Sequence, residues 1–257
     1  MKKYFKYWLK NSFLSLQSDL ATRTATIFFI FGKILRFYFF LIFLFVILGR
    51  QGGFRNYSSS DLLTFFLVFN LFDIVGQVLF RGIYWFREKI ITGSFDLILI
   101  KPINPIFAAL TDKTDFLDLP LLVIIFYLLV KQSLLIPAAN YWLFLLVSFA
   151  GLGLVTSIHI FVACLGILTT EVDHAIWIYR DLSSMARFPV DIYAPILRYF
   201  LIFVIPIGVI YTFPTQAFMG ILSTQLVVYS VLISVVIFWL SLKLWDYCLK
   251  KYSGASS

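Results

Sequence analysis

Cysteine and histidine are almost missing from this 257-residue chain, which has two of each: Cys164, Cys248, His159 and His174. A disulfide framework needs several cysteines at regular spacing, so none is implied. A metal centre needs three or four ligands within reach, and neither histidine has a cysteine or carboxylate cluster beside it at ligand spacing. Charge is scarce as well. Only 13% of residues are Asp, Glu, Lys or Arg, with 13 acidic residues against 21 basic ones. The chain also lacks a Gly-x-x-x-x-Gly-Lys-Ser/Thr loop, a Gly-x-Ser-x-Gly elbow and a His-Glu-x-x-His helix. These are the usual devices for holding a nucleotide or activating a nucleophile or water. No catalytic residue, cofactor or metal is therefore expected, and any energy source must come from another subunit.

What the chain has in abundance is apolar surface: 61% of residues are hydrophobic and the mean hydropathy is +0.94, well outside the range of soluble domains. Apolar runs at 27–48, 62–80, 107–130, 141–168 and 221–245, with a further region at 171–211, match the roughly 20 residues that a membrane-crossing helix needs. The runs are continuous and not alternating, so backbone groups must be satisfied inside helices and not in a barrel. The expected fold is an all-α integral membrane protein of six transmembrane helices, forming a single transmembrane domain over 1–257. Two placements of the fifth crossing remain open, 171–190 and 196–212. Pro195, Pro206 and Pro214 punctuate the second, and a proline inside a helix removes a donor and forces a kink. A re-entrant segment over 195–220 follows from that reading.

With both termini on one side, Lys2, Lys3, Lys6, Lys10, Arg23, Arg81, Arg87, Lys89, Lys101, Lys243, Lys250 and Lys251 fall together, against Arg50, Arg55 and Lys131 opposite. The positive-inside bias makes the shared side, including a tail at 247–257, cytoplasmic. Basic side chains held by anionic lipid account for the +8 net charge, and no nucleic acid is expected. In 1–26, Phe5, Trp8, Leu9, Phe13, Leu16 and Leu20 recur at helical spacing, as in an amphipathic helix lying in the interface. The segment is expected to be retained and not cleaved as a signal, because the apolar run after it starts late and carries Lys33 and Arg36. Both of these basic residues are expected to snorkel toward headgroups.

Asn70, Asp73, Gln77 and Arg81 form one helical stripe in the second run. An aspartate at a helix centre costs on the order of 2.5–3.5 kcal/mol on insertion scales and should face protein or water. A second polar stripe runs through Asp173, Arg180, Ser184, Arg187 and Asp191. Each stripe reads equally as a helix-packing face or as the wall of a pathway or subunit interface; a pairing of Asp73 with Arg180 is one expectation. His159 is expected to be a satisfied packing residue. Between the second and third runs, Ile90, Phe95, Ile98 and Leu99 offer an apolar face rimmed by Arg87, Lys89, Asp96 and Lys101, with Gly93 allowing a bend. This pattern suits a partner-docking element; its bland counterpart is a basic loop lying on the bilayer.

The stretch with Arg87, Glu88, Gly93, Phe95-Asp96, Leu97, Leu99, Lys101-Pro102 and Pro105 resembles the cytoplasmic coupling region of type-2 ABC export permeases. Phe188-Pro189, Tyr193, Pro195, Leu197-Arg198 and Pro206 are similar to that family's fifth span and the re-entrant extracellular hairpin after it. With the six-span layout, the resemblance covers almost the whole chain and is closest to a bacterial subgroup of permeases. It implies the permease subunit of an ATP-binding cassette exporter in the bacterial cytoplasmic (inner) membrane. Such a subunit dimerises with a second copy or a related permease, and two copies of a separate ATPase subunit dock on a coupling region at 81–105. No substrate is implied. A non-transporting membrane scaffold or assembly subunit is the rival reading.

Overall fold

The computed structural model describes residues 2–51, 53–54, 57–136, 139–169 and 173–254. Arg55, Glu171 and residues 255–257 of the expected tail lie outside the described residues. Five helical segments are long and apolar enough to cross a bilayer: Arg23–Val46, Ser59–Ile91, Phe116–Ser133, Tyr141–Thr169 and Thr224–Lys251. A sixth candidate is the pair Pro195–Val204 and Gly208–Phe218, bent by 82°. The chain is thus an all-α, multi-pass membrane protein. Among the described residues the one strand pairing is β1 (Gly53–Phe54) antiparallel to β2 (Tyr57–Ser58).

In chain order the helices are α1 (Lys2–Ala21), α2 (Arg23–Gln51), α3 (Ser59–Phe80), α4 (Phe86–Ile91), α5 (Ser94–Leu99) and α6 (Pro105–Thr111). They continue with α7 (Leu119–Ser133), α8 (Tyr141–Thr169), α9 (Asp173–Ser184), α10 (Pro195–Tyr199), α11 (Phe213–Phe218) and α12 (Thr224–Lys251). Local chemistry sets several starts. At α3, Ser58 Oγ accepts from the Asp61 N–H while the Ser58 N–H donates to Asp61 Oδ2 at 2.8 Å, a reciprocal capping box. Asn104 caps α6 ahead of Pro105, and Ser223 caps α12.

The amphipathic reading of the N-terminus meets a helix that joins the protein by its small polar edge. Ser12 and Ser15 are buried, and the Ser12 and Thr114 hydroxyls lie 2.8 Å apart. Phe5, Leu9, Phe13 and Leu20 remain uncovered, an arrangement suited to a helix half-sunk in lipid.

Two expectations need correction. The third run does not continue from 107 to 130. The helix breaks after Thr111, and the span starts at Phe116. Asp112, Lys113 and Asp115 stand in that break, where polar side chains and backbone can be satisfied outside the hydrocarbon. Lys33 does not snorkel. Its ammonium pairs with Asp115 at 3.2 Å and with Asp118, both nearly inaccessible, so it ties α2 to the start of the third span. Arg36, one turn on, is exposed.

The core centres on α3 and α8, with α12, α11 and the turn Gly208–Thr212 packed against α8. Gly151 permits that crossing, since a Cβ there would meet the Ile210 carbonyl oxygen at 3.1 Å. The 171–211 region divides into α9, extended by the turn Met185–Arg187, and the bent pair. At 1.5 Å per residue, α9 with its turn reaches about 22 Å, short of the roughly 30 Å hydrocarbon core.

Candidate functional site

The first cluster lies between α3 and α9. The period of α3 puts Asp73 and Gln77 on the side toward α9, whose Arg180 brings Nη2 to 3.8 Å from Asp73 Oδ1. Arg180 also lies over the rings of Tyr84 and Trp177, at 5.9 and 5.8 Å. Gln77 accepts from Arg81 at 2.9 Å and donates to the Tyr84 hydroxyl at 3.4 Å, while the Tyr179 and Tyr211 hydroxyls lie 3.4 Å apart. These groups surround a cavity of about 20 Å³, room for about one water molecule. His159 closes the floor between Phe80 and Tyr179, with Nδ1 donating to the Val155 carbonyl at 2.7 Å.

Not every residue of the two stripes belongs to this cluster. Asn70 donates to the Phe66 carbonyl of its own helix at 2.7 Å, and Ser184 donates to the Asp181 carbonyl at 2.7 Å. Arg187 sits apart, over Phe40 and Phe69 at 5.4 and 5.6 Å, as a cation held by rings of α2 and α3.

The second cluster is the turn from α3 to α6. Gly93 takes φ 70°, a left-handed conformation open to glycine at little cost, and so starts α5 at an angle to α4. The apolar face expected from Ile90, Phe95 and Ile98 is turned inward. Phe95 is 0% exposed and packs edge-on against Phe86 at 5.0 Å and Tyr252 at 5.2 Å, with Trp245 of α12 at 6.3 Å. A side chain so placed cannot meet a partner; it fixes the turn to the end of the last helix. The outward residues are Ile91, Leu97 and Ile100, exposed by 54%, 60% and 79%. Glu88, Lys101 and Pro102 are exposed around them, and Arg87 and Glu88 line a groove of about 290 Å³ with Trp85 and Ile91. Lys89 pairs with Asp112, and the Pro102 carbonyl accepts from Lys3 of α1. Asp96 is half-buried beside Tyr252 and Gly254; burial, reinforced by that carboxylate, pushes the Tyr252 phenol up to about 12.

A third cluster was not read from the sequence as a unit. The Asp191 carboxylate accepts from Tyr57 at 3.0 Å and from Gln216 at 2.6 Å, and pairs with Arg198 at 2.9 Å. These residues are 134 and 25 positions apart in two of the cases, so no local pattern could have joined them. Burial raises Tyr57 to about 12. The missed triad of Lys33, Asp115 and Asp118 did have a signal, the charged residues between Thr111 and Asp118.

Among the described residues no group of three or more His, Cys, Asp or Glu side chains is placed to hold a metal. A family model described as ABC-2 family transporter protein matches residues 34–256. No curated protein matches the chain.

Proposed function

The chain belongs to the ABC-2 family of transporter proteins as a membrane permease subunit of an ATP-binding cassette transporter, and from that premise we propose an exporter subunit driven by a separate ATPase. The observation that carries the reading is the outward patch of Ile91, Leu97 and Ile100 with its charged border of Glu88 and Lys101. Apolar centres with polar rims are what protein partners bury. The patch stands on a turn pinned by Phe95, so a force applied there is not absorbed by a slack loop. Residues 81–105 are thus the coupling region, with one ATPase copy on each of two permeases, the second permease being another copy or a relative. The nucleotide site lies on that partner, since this chain has no phosphate-binding loop.

The basic residues of this end support a cytoplasmic position for it and for both termini, in what we take to be a bacterial inner membrane. An even number of crossings follows; α9 with its turn, about 22 Å long, is the fifth in this reading, the bilayer thinning locally to meet it. Its Arg180 meets Asp73 within the length of α3, which supports a position at membrane depth. The two arms of the bent pair are each about 15 Å long, half a bilayer, as suits a hairpin that enters from outside and returns. The Asp73–Arg180 cluster then lies on the pathway side or at the contact between permeases. Cysteine at Asp191 should be labelled from outside only; labelling from the cytoplasm would return the fifth crossing to the bent pair.

The deciding experiment is purification of the tagged chain in mild detergent with mass spectrometry of its partners. A phosphate-loop ATPase should co-purify with the wild type and fall at least about tenfold with Leu97→Glu and Ile100→Glu together, a loss on the scale of a broken hot spot. Equal recovery would remove the docking site. A folded wild-type chain without any ATPase would leave the scaffold reading in its place.

A further inference from the structure

A hollow of about 330 Å³ lies where α1 turns into α2, bordering the clusters described above through Arg81, Trp85 and Asp115. Its walls come from the end of α1 with Asp19, the first turns of α2 with Thr26 and Phe29, the turn after α3 with Arg81 and Trp85, and the stretch before α7 with Lys113, Asp115 and Leu117. Two membrane spans begin at this level, Arg23–Val46 and Phe116–Ser133, and the long helix α3 ends there at Phe80. Span termini mark the boundary between hydrocarbon and water, so the hollow sits at headgroup depth. Phe29 and Leu117 lie within their spans, on its hydrocarbon side.

The charges in the hollow are not used up by one another. Asp115 is committed to Lys33. The Lys113 ammonium rests 4.2 Å from the Trp85 ring centre, and Arg81 donates to Gln77 and lies over Tyr84 at 4.7 Å. Neither cation forms an ion pair among the described residues, and neither does Asp19. Burial raises the Asp19 carboxyl, while Lys113, Arg81 and Lys33 hold it down and Asp115 adds to the rise. The elbow is fixed by the Thr26 hydroxyl, which bonds the Asp19 carbonyl at 2.5 Å and the Thr22 carbonyl at 3.2 Å. Two cations and one carboxylate outside any ion pair, with the paired Asp115 beside them, therefore face a common space above an apolar wall.

We propose that this hollow binds the headgroup of a zwitterionic aminophospholipid, with its phosphodiester between Arg81 and Lys113 and its primary ammonium on Asp19. The acyl chains leave past Phe29 and Leu117 into the bilayer. An anionic headgroup without an amine would leave Asp19 unmatched, and a choline headgroup has no N–H to donate to it. Asp19 is thus the selecting residue, and Lys113 and Arg81 supply affinity for any phosphodiester. The bound lipid stitches α1 to α2 and the start of the third span. The inference rests on the membrane placement of these helices and is independent of transport or ATPase docking.

The test is reconstitution of the full chain in nanodiscs containing equal parts of phosphatidylethanolamine, phosphatidylcholine and phosphatidylglycerol, followed by gentle release and mass spectrometry of the retained lipid. The wild type should retain the ethanolamine lipid over the choline lipid by about threefold to tenfold, the net range of one ordinary hydrogen bond. Asp19→Asn should abolish that preference while phosphodiester retention persists. Lys113→Gln should lower all three lipids together, and Lys10→Gln, on the exposed side of α1, should change nothing. Equal retention of ethanolamine and choline lipids by the wild type, dominance of the glycerol lipid, or an undiminished preference in Asp19→Asn would each overturn the assignment.

Discussion

α2 and α8 are each 29 residues long and both are apolar enough to cross a bilayer, yet the most apolar window of α8 is 56% buried and that of α2 only 11%. The difference lies in side-chain size and bonding. α8 brings Gly151, Gly153, Thr156 and Ser157 to its neighbours, and both hydroxyls bond carbonyls one turn back, so backbones approach closely. α2 is rich in phenylalanine and touches the rest of the protein along one stripe, Lys33, Phe37, Phe40 and Leu44. Phe37 and Phe40 stack on Phe66 at 5.2 and 4.6 Å. Hydropathy puts a helix in lipid; it does not say whether lipid or protein covers it.

That contrast can be broken within α2 itself. Lys33→Met removes the partner of two nearly inaccessible carboxylates and should cost about 4 kcal/mol, whereas Arg36→Met, one turn away and exposed, should stay within about 0.5 kcal/mol. Thermal unfolding in detergent, read by size exclusion, separates the two; equal losses would mean that the salt bridge contributes nothing beyond a snorkelling lysine. Next comes glycine against glycine. Gly151→Leu drives a side chain into the Ile210 carbonyl and should cost about 3 kcal/mol, while Gly32→Leu, with nothing within 4 Å of its Cβ, should be neutral. A neutral Gly151→Leu would show that the turn Gly208–Thr212 can move off α8. The smallest of the three expected losses is that of Asp73→Asn, about 2 kcal/mol, because the pair with Arg180 is long and about a quarter exposed. Charge reversal of both partners should regain most of the loss if the contact itself matters.

Much of this was legible from residue order. Apolar run length gave the first and fourth spans to within about four residues and the starts of the second and last, whose helices run on to Ile91 and Lys251, and the spacing of Asn70, Asp73 and Gln77 anticipated a polar stripe whose Asp73 meets Arg180. The break at Asp112–Asp115 was visible but overridden, since a long apolar average drowned three charges. The fate of Phe95 was not legible. A six-residue helix shows which residues share a face, but which element covers that face depends on Trp245 and Tyr252, some 150 positions away.

The seating of Phe95 against Trp245 gives α12 a second character. The helix is 28 residues long, about 42 Å at 1.5 Å per residue. Near its other end Tyr229 donates to the Ile202 carbonyl at 3.2 Å and stacks edge-on against Phe203 at 5.3 Å, both in the bent pair. Close-packed side chains transmit displacement with little compression. α12 is therefore a strut, one unbroken helix with the α4–α5 turn seated at one end and the bent pair at the other.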